Sequence, residues 1–410
     1  MRRLKKTLWT KNFTLVTAAS ALGAVGGIAG GFALSFLVFD ETGSTLASAL
    51  ILAIQLVPFF VLPLFLAPVM DRLPRKPFLV AGDLIDGVLY ALMGLYLLKF
   101  EFSYAAYLGY SLLLACLESF DELAFQSIYP KLIPDGMEQQ GYAVSTTLYP
   151  ILRVLMLPLA GVLLDAVGAA WILIGQGGLS LLAALIESNI DITEHRREGG
   201  EKLFTLRQWR ADIREAAEYL KNERGVTGIF SYMAVTNGVA SGYSSILVAF
   251  FRTFPGFTAA MYSLFSVFEF AGRTLGGAVQ YKLKIAKEKK FGFTFLVYQI
   301  YELMDMCLLW LPYPLMLANR ALVGFLGANS ATMRQAAMQT YIPEELRARL
   351  NAFQNMLITA ASGVFALAIG ALGEVLDYRL CVTICGATAF IAAWLLVWRR
   401  RADVRKIFEK

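Results

Sequence analysis

The sequence is poor in the residue types that build metal, redox and disulfide sites. Its 410 residues include one histidine, His195, and four cysteines. The cysteines lie inside apolar runs and lack the spacing of a zinc site. We therefore expect no disulfide framework, no metal site, no cofactor and no chemistry that needs paired histidines.

Charge is also scarce, because only 17% of the residues are charged whereas 57% are hydrophobic. The mean hydropathy is +0.58, and a soluble domain is only roughly half apolar. These values predict a polytopic protein of the lipid bilayer. The net charge of +6 could indicate nucleic-acid binding, but the basic residues lie in short loops and near both ends of the chain. That placement is typical of membrane topology, so we expect no nucleic-acid partner.

Twelve apolar runs are each near the ~20 residues that cross the hydrocarbon core. We expect spans at roughly 12–39, 45–69, 77–99, 103–128, 140–165, 169–189, 225–251, 257–281, 291–311, 313–338, 347–372 and 378–398. The first run is too long for the apolar part of a signal peptide, so we interpret it as a span.

The spans divide into two groups of six. We expect an N-terminal half at 1–189, a linker at 190–224, a C-terminal half at 225–398 and a basic cytoplasmic tail at 399–410. In the linker, apolar residues recur at helical spacing among charges, which predicts an amphipathic helix at the membrane surface. The tripeptide that begins at Ile133 returns in similar form at Ile342, 209 residues later. This spacing indicates that the two halves are repeats.

The distribution of positive charge predicts the topology. Of the 37 Lys and Arg residues, 30 lie in the termini and in loops on one side of the predicted membrane, three lie in loops on the other side and four lie within spans. The positive-inside rule then predicts that both termini are cytoplasmic. One chain supplies both halves, so we expect a monomer.

A short charged turn separates spans 2 and 3. Its charged residues are Asp71, Arg72, Arg75 and Lys76. The simplest role of this turn is to anchor the topology, with Asp71 capping the start of a helix. Asp83 and Asp86 lie within span 3, and we expect them to pair with the basic residues of the turn.

Span 4 carries the most informative charges. Glu118, Asp121 and Glu122 are spaced i, i+3 and i+4 and share one helix face. Charge inside a membrane is costly unless it is paired or faces water, so we expect Arg153 of span 5 to pair with Glu118. Two interpretations remain open. The carboxyl groups could exchange a proton near neutral pH, or Glu118 and Arg153 could form a static pair while the other two are solvated.

Other polar residues inside spans are further candidates for a proton or substrate site. They are Asn237 in span 7, Glu269 and Arg273 in span 8, and Arg320 in span 10. Glu269 and Arg273 are four residues apart, so they could instead satisfy one another on a single helix.

Spans 1 and 5 contain residues that shape helices. In span 5, Pro158 and Gly161 predict a bend or a close helix contact. Span 1 contains five glycines at Gly23, Gly26, Gly27, Gly30 and Gly31. They predict close helix packing or a flexible helix that lines a cavity.

The turn from Asp71 to Lys76, with its D-R-x-x-R-K core, resembles the conserved cytoplasmic loop between spans 2 and 3 of the major facilitator superfamily. Three stretches, Asp40–Thr45, Pro130–Pro134 and Ile342–Arg349, resemble the macrolide-efflux-like branch of bacterial exporters in that superfamily. The usual span 4 arginine of that branch would fall near Leu114, which is apolar.

The resemblance implies that spans 1, 4, 7, 10 and 2, 5, 8, 11 line a central cavity, so that the acidic face of span 4 points into it. It also implies that the charged turn contacts span 11 and holds the two halves together in the outward-open state. Pro158 and Gly161 look like a reduced form of the span 5 motif of antiporters. The family places span 9 at the periphery, so Glu302 and Asp305 are not nominated.

These observations predict an all-α membrane protein with twelve transmembrane helices in two pseudo-symmetric six-helix halves, the major facilitator fold. The expected function is secondary active transport by alternating access, with proton-coupled efflux of an amphipathic or cationic small molecule. Uptake, or transfer of a lipid-like substrate, is the alternative within the same fold. No catalytic motif indicates an enzyme, and no added soluble domain indicates a sensor.

Overall fold

The computed structural model describes residues 7–70, 75–134, 136–192, 206–282 and 285–409, and every regular element among them is helical. The helices are α1 (Lys11–Thr42), α2 (Thr45–Met70), α3 (Lys76–Lys99), α4 (Tyr104–Leu132), α5 (Glu138–Val167), α6 (Ala169–Ser188), α7 (Leu206–Asn222), α8 (Arg224–Thr253), α9 (Ala259–Lys282), α10 (Lys287–Cys307), α11 (Tyr313–Tyr341), α12 (Glu344–Gly373), α13 (Tyr378–Ala392) and α14 (Arg401–Glu409). A 3-10 turn at Leu308–Trp310 follows α10, and a π-helical segment at Ala393–Trp398 continues α13.

Each of the twelve predicted spans coincides with one long helix. In the part of the chain that the structure describes, eight of these helices are long and apolar enough to cross a membrane: α1, α3, α5, α6, α8, α10, α12 and α13. α4, α9 and α11 are of similar length but carry charged residues such as Glu118, Glu269 and Arg320. In α2 the described apolar stretch, Thr45–Phe59, is shorter. The all-α membrane fold predicted from hydropathy is confirmed.

The helices repeat the spacing seen in the sequence. α4 and α11 are offset by 209 residues at both ends, since 313 follows 104 and 341 follows 132 by that number. Both helices end at an isoleucine with extended backbone, Ile133 with ψ of 129° and Ile342 with ψ of 132°. A proline follows each isoleucine and disfavours the helical conformation of the residue before it. The repeated Ile-Pro pair therefore terminates the equivalent helix in both halves.

The chain forms two compact units. The first comprises Met1–Glu41, Gln55–Phe204 and Thr258–Ser263, and the second comprises Thr42–Ile54, Thr205–Phe257 and Leu264–Lys410. The second unit thus includes the beginning of α2, and the first includes the beginning of α9.

In the first unit, α3 and α6 approach each other through glycines. A Cβ atom at Gly94 would lie 2.6 Å from the Ala170 carbonyl oxygen, and one at Gly177 would lie 2.6 Å from the Gly87 carbonyl oxygen. A larger residue at either position would force the two backbones apart. We name this contact the α3–α6 seam.

The glycines of α1 divide into two sets. Gly26 and Gly30 receive the side chain of Gln176 from α6, whereas a Cβ atom at Gly23, Gly27 or Gly31 would meet nothing within 4 Å. Close packing is confirmed for the first two glycines. The other three leave one face of α1 open.

The second unit is built on a large apolar core that also buries α7 and α14. Ala216 and Leu220 of α7 lie in this core, together with Ile407 and Phe408 of α14. These apolar side chains of the linker helix are therefore covered by protein. The predicted basic tail at 399–410 contains a helix, α14, which is amphipathic and buries its apolar side chains in this core.

Candidate functional site

Five carboxyl groups of the first unit form an acidic cluster at the meeting point of α3, α4 and α6. Its members are Asp83, Asp86, Glu118, Asp121 and Glu187. Asp121 lies within electrostatic range of Asp83, Asp86 and Glu118, and Glu187 lies within range of Asp83 and Asp121. The missing side chain of Gly82 makes room for Asp121, since a Cβ atom there would lie 2.8 Å from Asp121 Oδ1.

The acidic cluster is poor in compensating contacts. None of its carboxylates forms an ion pair with another described residue. Three buried oxygens, Asp86 Oδ1, Asp121 Oδ1 and Glu187 Oε2, have no hydrogen-bond partner in the described part of the chain. Glu118 accepts one long hydrogen bond of 3.4 Å from Tyr90 Oη. A buried carboxylate with so few partners is costly in its charged form.

The structure overturns two predicted pairings. Arg153 is exposed on α5 and forms no ion pair with Glu118, whose only hydrogen bond to a described residue comes from Tyr90. Asp83 and Asp86 were expected to pair with the basic turn but lie beside Asp121 and Glu118. Helical spacing fixes which residues share a face, but it does not fix the rotation of the neighbouring helix.

The remaining residues of the first unit have separate positions. Glu122 is exposed and accepts a hydrogen bond of 2.5 Å from Gln126 Nε2. Lys76, at the start of α3, donates through Nζ to the Ser188 carbonyl oxygen at 2.8 Å. Arg75 directly precedes α3. Asp71, Arg72 and His195 lie outside the described residues.

Pro158 and Gly161 lie in α5, which runs without interruption from Glu138 to Val167. A Cβ atom at Gly161 would lie 2.7 Å from Ala260 Cα at the beginning of α9. Asp165 Oδ2 accepts a hydrogen bond of 3.3 Å from the Ala260 amide. Gly161 therefore serves close packing of α5 on the start of α9.

The second unit contains a polar cavity of about 270 Å³. Helices α8, α9, α10, α11 and α13 line it, and four predicted residues, Asn237, Glu269, Arg273 and Arg320, are among the lining side chains. Glu269 and Arg273 form the expected pair, with 2.7 Å between Oε1 and an Arg273 guanidinium nitrogen. Asn237 donates to the Met233 carbonyl oxygen at 2.8 Å.

Two acidic residues of the polar cavity were not nominated from the sequence. Asp305 forms a buried ion pair with Arg320, whose side chain is 3% exposed, and Arg320 also donates to Asn319 Oδ1 at 3.0 Å. Glu302 is 2% exposed and accepts a hydrogen bond of 3.3 Å from Tyr232 Oη. Excluding α10 as peripheral was wrong for these residues. The sequence did contain a signal for this site, namely two carboxylates three residues apart in an apolar run.

The arginines of the polar cavity donate hydrogen bonds to tyrosines as well as to carboxylates. Arg334 donates to Tyr298 Oη at 3.0 Å, and Arg320 lies 3.4 Å from Tyr243 Oη. Three arginines and three carboxylates therefore balance in this cavity, in contrast to the acidic cluster. Among the described residues, no group of His, Cys, Asp and Glu side chains has the geometry of a metal site.

Comparison with known proteins gives a family and a fold. A family model described as Major Facilitator Superfamily matches residues 13–299 and 300–409. No curated protein sequence matches the chain. A solved bacterial homolog of the human lysosomal transporter Spinster is 14% identical, with a TM-score of 0.66 over 97% of this chain and 94% of that chain.

Two further solved structures share the fold. A peptide transporter POT in complex with alafosfalin has a TM-score of 0.71 at 11% identity and covers 99% of this chain and 98% of its own. The nucleoside transporter NupG has a TM-score of 0.68 at 10% identity and covers 94% and 98%. At these identities the likeness concerns the fold alone.

Proposed function

The chain belongs to the major facilitator superfamily, and we propose that it is a secondary active transporter that couples efflux of an amphipathic or cationic small molecule to protons. Its structural neighbours are transporters, and the superfamily is one of transporters and not of enzymes. Alternating access of one central site to the two sides of the membrane is the mechanism we propose. We also propose that the protein belongs to the macrolide-efflux-like branch of the superfamily.

The acidic cluster is the observation that supports proton coupling. A carboxylate inside a membrane helix costs several kcal/mol unless it is paired or faces water. Protonation removes that cost while the site is closed, and contact with water allows the proton to leave. Glu118 is exposed at the surface of the first unit while Asp121 is half-buried. These two residues of α4 are therefore suited to exchange a proton as access to water changes.

The charge of the acidic cluster also supports a cationic substrate. When they are deprotonated, five carboxyl groups without a described ion-pair partner create a negative potential that attracts cations. Tyr90 and Tyr110 lie beside the cluster in an edge-to-face contact, with ring centroids 6.2 Å apart. Their rings could contact an apolar cation. In the second unit, the polar cavity adds the carboxylate of Glu302, which accepts a hydrogen bond from Tyr232.

We propose that the protein acts as a monomer in a bacterial cytoplasmic membrane, with both termini in the cytoplasm. Residues 190–224 would then join the two six-helix halves on the cytoplasmic side. In this arrangement the turn that includes Arg75 and Lys76 is the cytoplasmic latch between the halves. The hydrogen bond of Lys76 to the end of α6 anchors that turn.

Transport by purified protein in liposomes tests the proposal. Ethidium, a lipophilic aromatic cation, serves as the probe, and a pH-sensitive dye inside the liposomes reports proton flux. We expect ethidium movement to be accompanied by proton movement in the opposite direction. Glu118→Gln or Asp121→Asn should lower the coupled flux by roughly 100-fold, the contribution typical of a proton-transferring side chain.

Glu101→Gln is the matched control, because Glu101 is an exposed carboxylate in the loop between α3 and α4. It should retain wild-type flux. Full coupled flux in both α4 variants would contradict a proton site on α4. Ethidium movement without proton flux would contradict proton coupling, and accumulation in the same direction as protons would indicate uptake.

A further inference from the structure

The acidic cluster extends beyond the face of α4 to the end of α6. Glu187 is the penultimate residue of α6 and is only 4% exposed. Its Oε2 atom has no hydrogen-bond partner among the described residues. Burial of such a group near a helix end is unusual, because solvent is normally close at hand.

The members of the acidic cluster follow one another along the helices. Asp83, Asp86 and Tyr90 are spaced i, i+3 and i+7 and so form one stripe on α3. At a rise of about 1.5 Å per residue, this stripe covers about 10 Å of the helix axis. Glu187 interacts with Asp83 at one end of the stripe, and Tyr90 bonds to Glu118 at the other.

A second buried group marks the far end of the stripe. Gln176 of α6 is 5% exposed, and its Oε1 atom has no described hydrogen-bond partner. It lies against Gly26 and Gly30 of α1 and interacts with Tyr90. Polar atoms without described partners therefore occur near both ends of the stripe, at Glu187 and at Gln176.

We infer that Glu187 is the outer member of a proton path that runs from the end of α6 through Asp83, Asp121 and Asp86 to Glu118. The inference rests on the proposed proton coupling and adds the route that the proton takes. In each step one carboxylic acid gives its proton to the next carboxylate, directly or through a bridging water that is left unchanged, and becomes a carboxylate itself. Charge and atoms balance, and no other reactant is needed.

The path enters at the end of the unit where α3 begins and α6 ends. Lys76 lies there and donates to the Ser188 carbonyl oxygen, while Lys11 pairs with Asp191 at 2.5 Å. These cations lie beside the start of the path and are bonded to other groups. Neither cation forms an ion pair with Glu187, so the carboxyl group at the start of the path is not neutralised by them.

Two transport assays on the full-length protein separate a path residue from a structural one. Net ethidium transport driven by a pH gradient needs proton movement along the whole path. Exchange of ethidium at equal pH on both sides needs no net proton movement. We expect Glu187→Gln to slow gradient-driven transport by roughly 100-fold and to retain exchange, whereas Glu187→Asp should restore gradient-driven transport.

Infrared spectroscopy gives a readout that does not depend on transport. The carbonyl band of a protonated carboxylic acid changes as the pH of the purified wild-type protein is varied. The Glu187→Gln variant should lack one titrating component of that band, whereas Glu101→Gln should retain that component.

If Glu187→Gln kept both the proton flux and the gradient-driven transport of the wild type, the path would be overturned and the proposed coupling would stand. Equal loss of exchange and of gradient-driven transport would also overturn it, since Glu187 would then be structural. Absence of coupled flux in the wild type would instead overturn the proposed function, and the path with it.

Discussion

Removing the carboxylate of Asp305 should strongly destabilise the second unit. Asp305 is the ion-pair partner of Arg320, whose side chain is 3% exposed. In Asp305→Asn the guanidinium group remains buried and charged without a carboxylate partner. Breaking one side of a buried ion pair costs about 3–5 kcal/mol.

The structure places the expected loss at the lower end of that range. Arg320 keeps an acceptor in Asn319 Oδ1 at 3.0 Å and a more distant one in Tyr243 Oη at 3.4 Å. We therefore expect a loss of about 3 kcal/mol in the free energy of unfolding. The double variant Asp305→Asn, Arg320→Gln removes both charges and should recover part of this loss.

The assay is unfolding of the purified protein in mixed micelles by increasing amounts of a denaturing detergent, followed by tryptophan fluorescence. The matched control is Arg273→Gln, which breaks the Glu269 pair at the same cavity. The Arg273 side chain is 57% exposed, so its loss should cost less than about 1 kcal/mol. A double-mutant cycle for each pair isolates the interaction from the effects of the single changes.

The reasoning would be refuted if Asp305→Asn and Arg273→Gln cost the same. Equal losses would mean that water reaches Arg320 as readily as Arg273. A double variant less stable than either single variant would also contradict the argument, because it would show that the two charges are not each other's main partners.

Two further predictions concern packing and acid stability. Gly94→Val should destabilise the first unit by about 1–3 kcal/mol, because its side chain would meet a backbone oxygen across the α3–α6 seam. The control is Gly109→Val, since a Cβ atom at Gly109 meets nothing within 4 Å. Equal losses of stability in the two variants would contradict close packing at the seam. At Glu374, which follows α12, partial burial favours a higher pKa, but hydrogen bonds from the Leu46 amide and from two hydroxyl groups lower the pKa overall. The folded state then gains stability above the ordinary pKa of about 4.3 and loses it as the pH falls through the lowered value, so the thermal midpoint of the wild type should fall more steeply on acidification than that of Glu374→Gln.

The fold could be predicted from the sequence because membrane helices are defined by local apolar length. The boundaries of α4 follow from its apolar run and from the proline after Ile133. Gly26 and Gly30 also gave a correct local signal, since small residues four apart share one face of a helix.

The candidate sites were only partly predictable, because they depend on how neighbouring helices are rotated. Glu118 and Arg153 both lie inside predicted spans, but nothing in their spacing determines whether they face each other. Glu187 was missed because a carboxylate at the end of an apolar run normally reaches water. Asp305 was missed because a family-level placement of α10 was preferred to the chemistry of its residues.

α4 and α11 have the same length but bear different side chains at equivalent positions. Helix length must match the thickness of the hydrocarbon core, and these two helices keep both ends in register at 209 residues. At that offset, Glu118 corresponds to Gly327 and Asp121 to Ser330, and both counterparts line the polar cavity. Equivalent positions of the two helices therefore bear carboxyl groups in α4 and small neutral groups in α11. The small groups of α11 leave space in the polar cavity, whose charged side chains come from other positions of α11 and from α9 and α10.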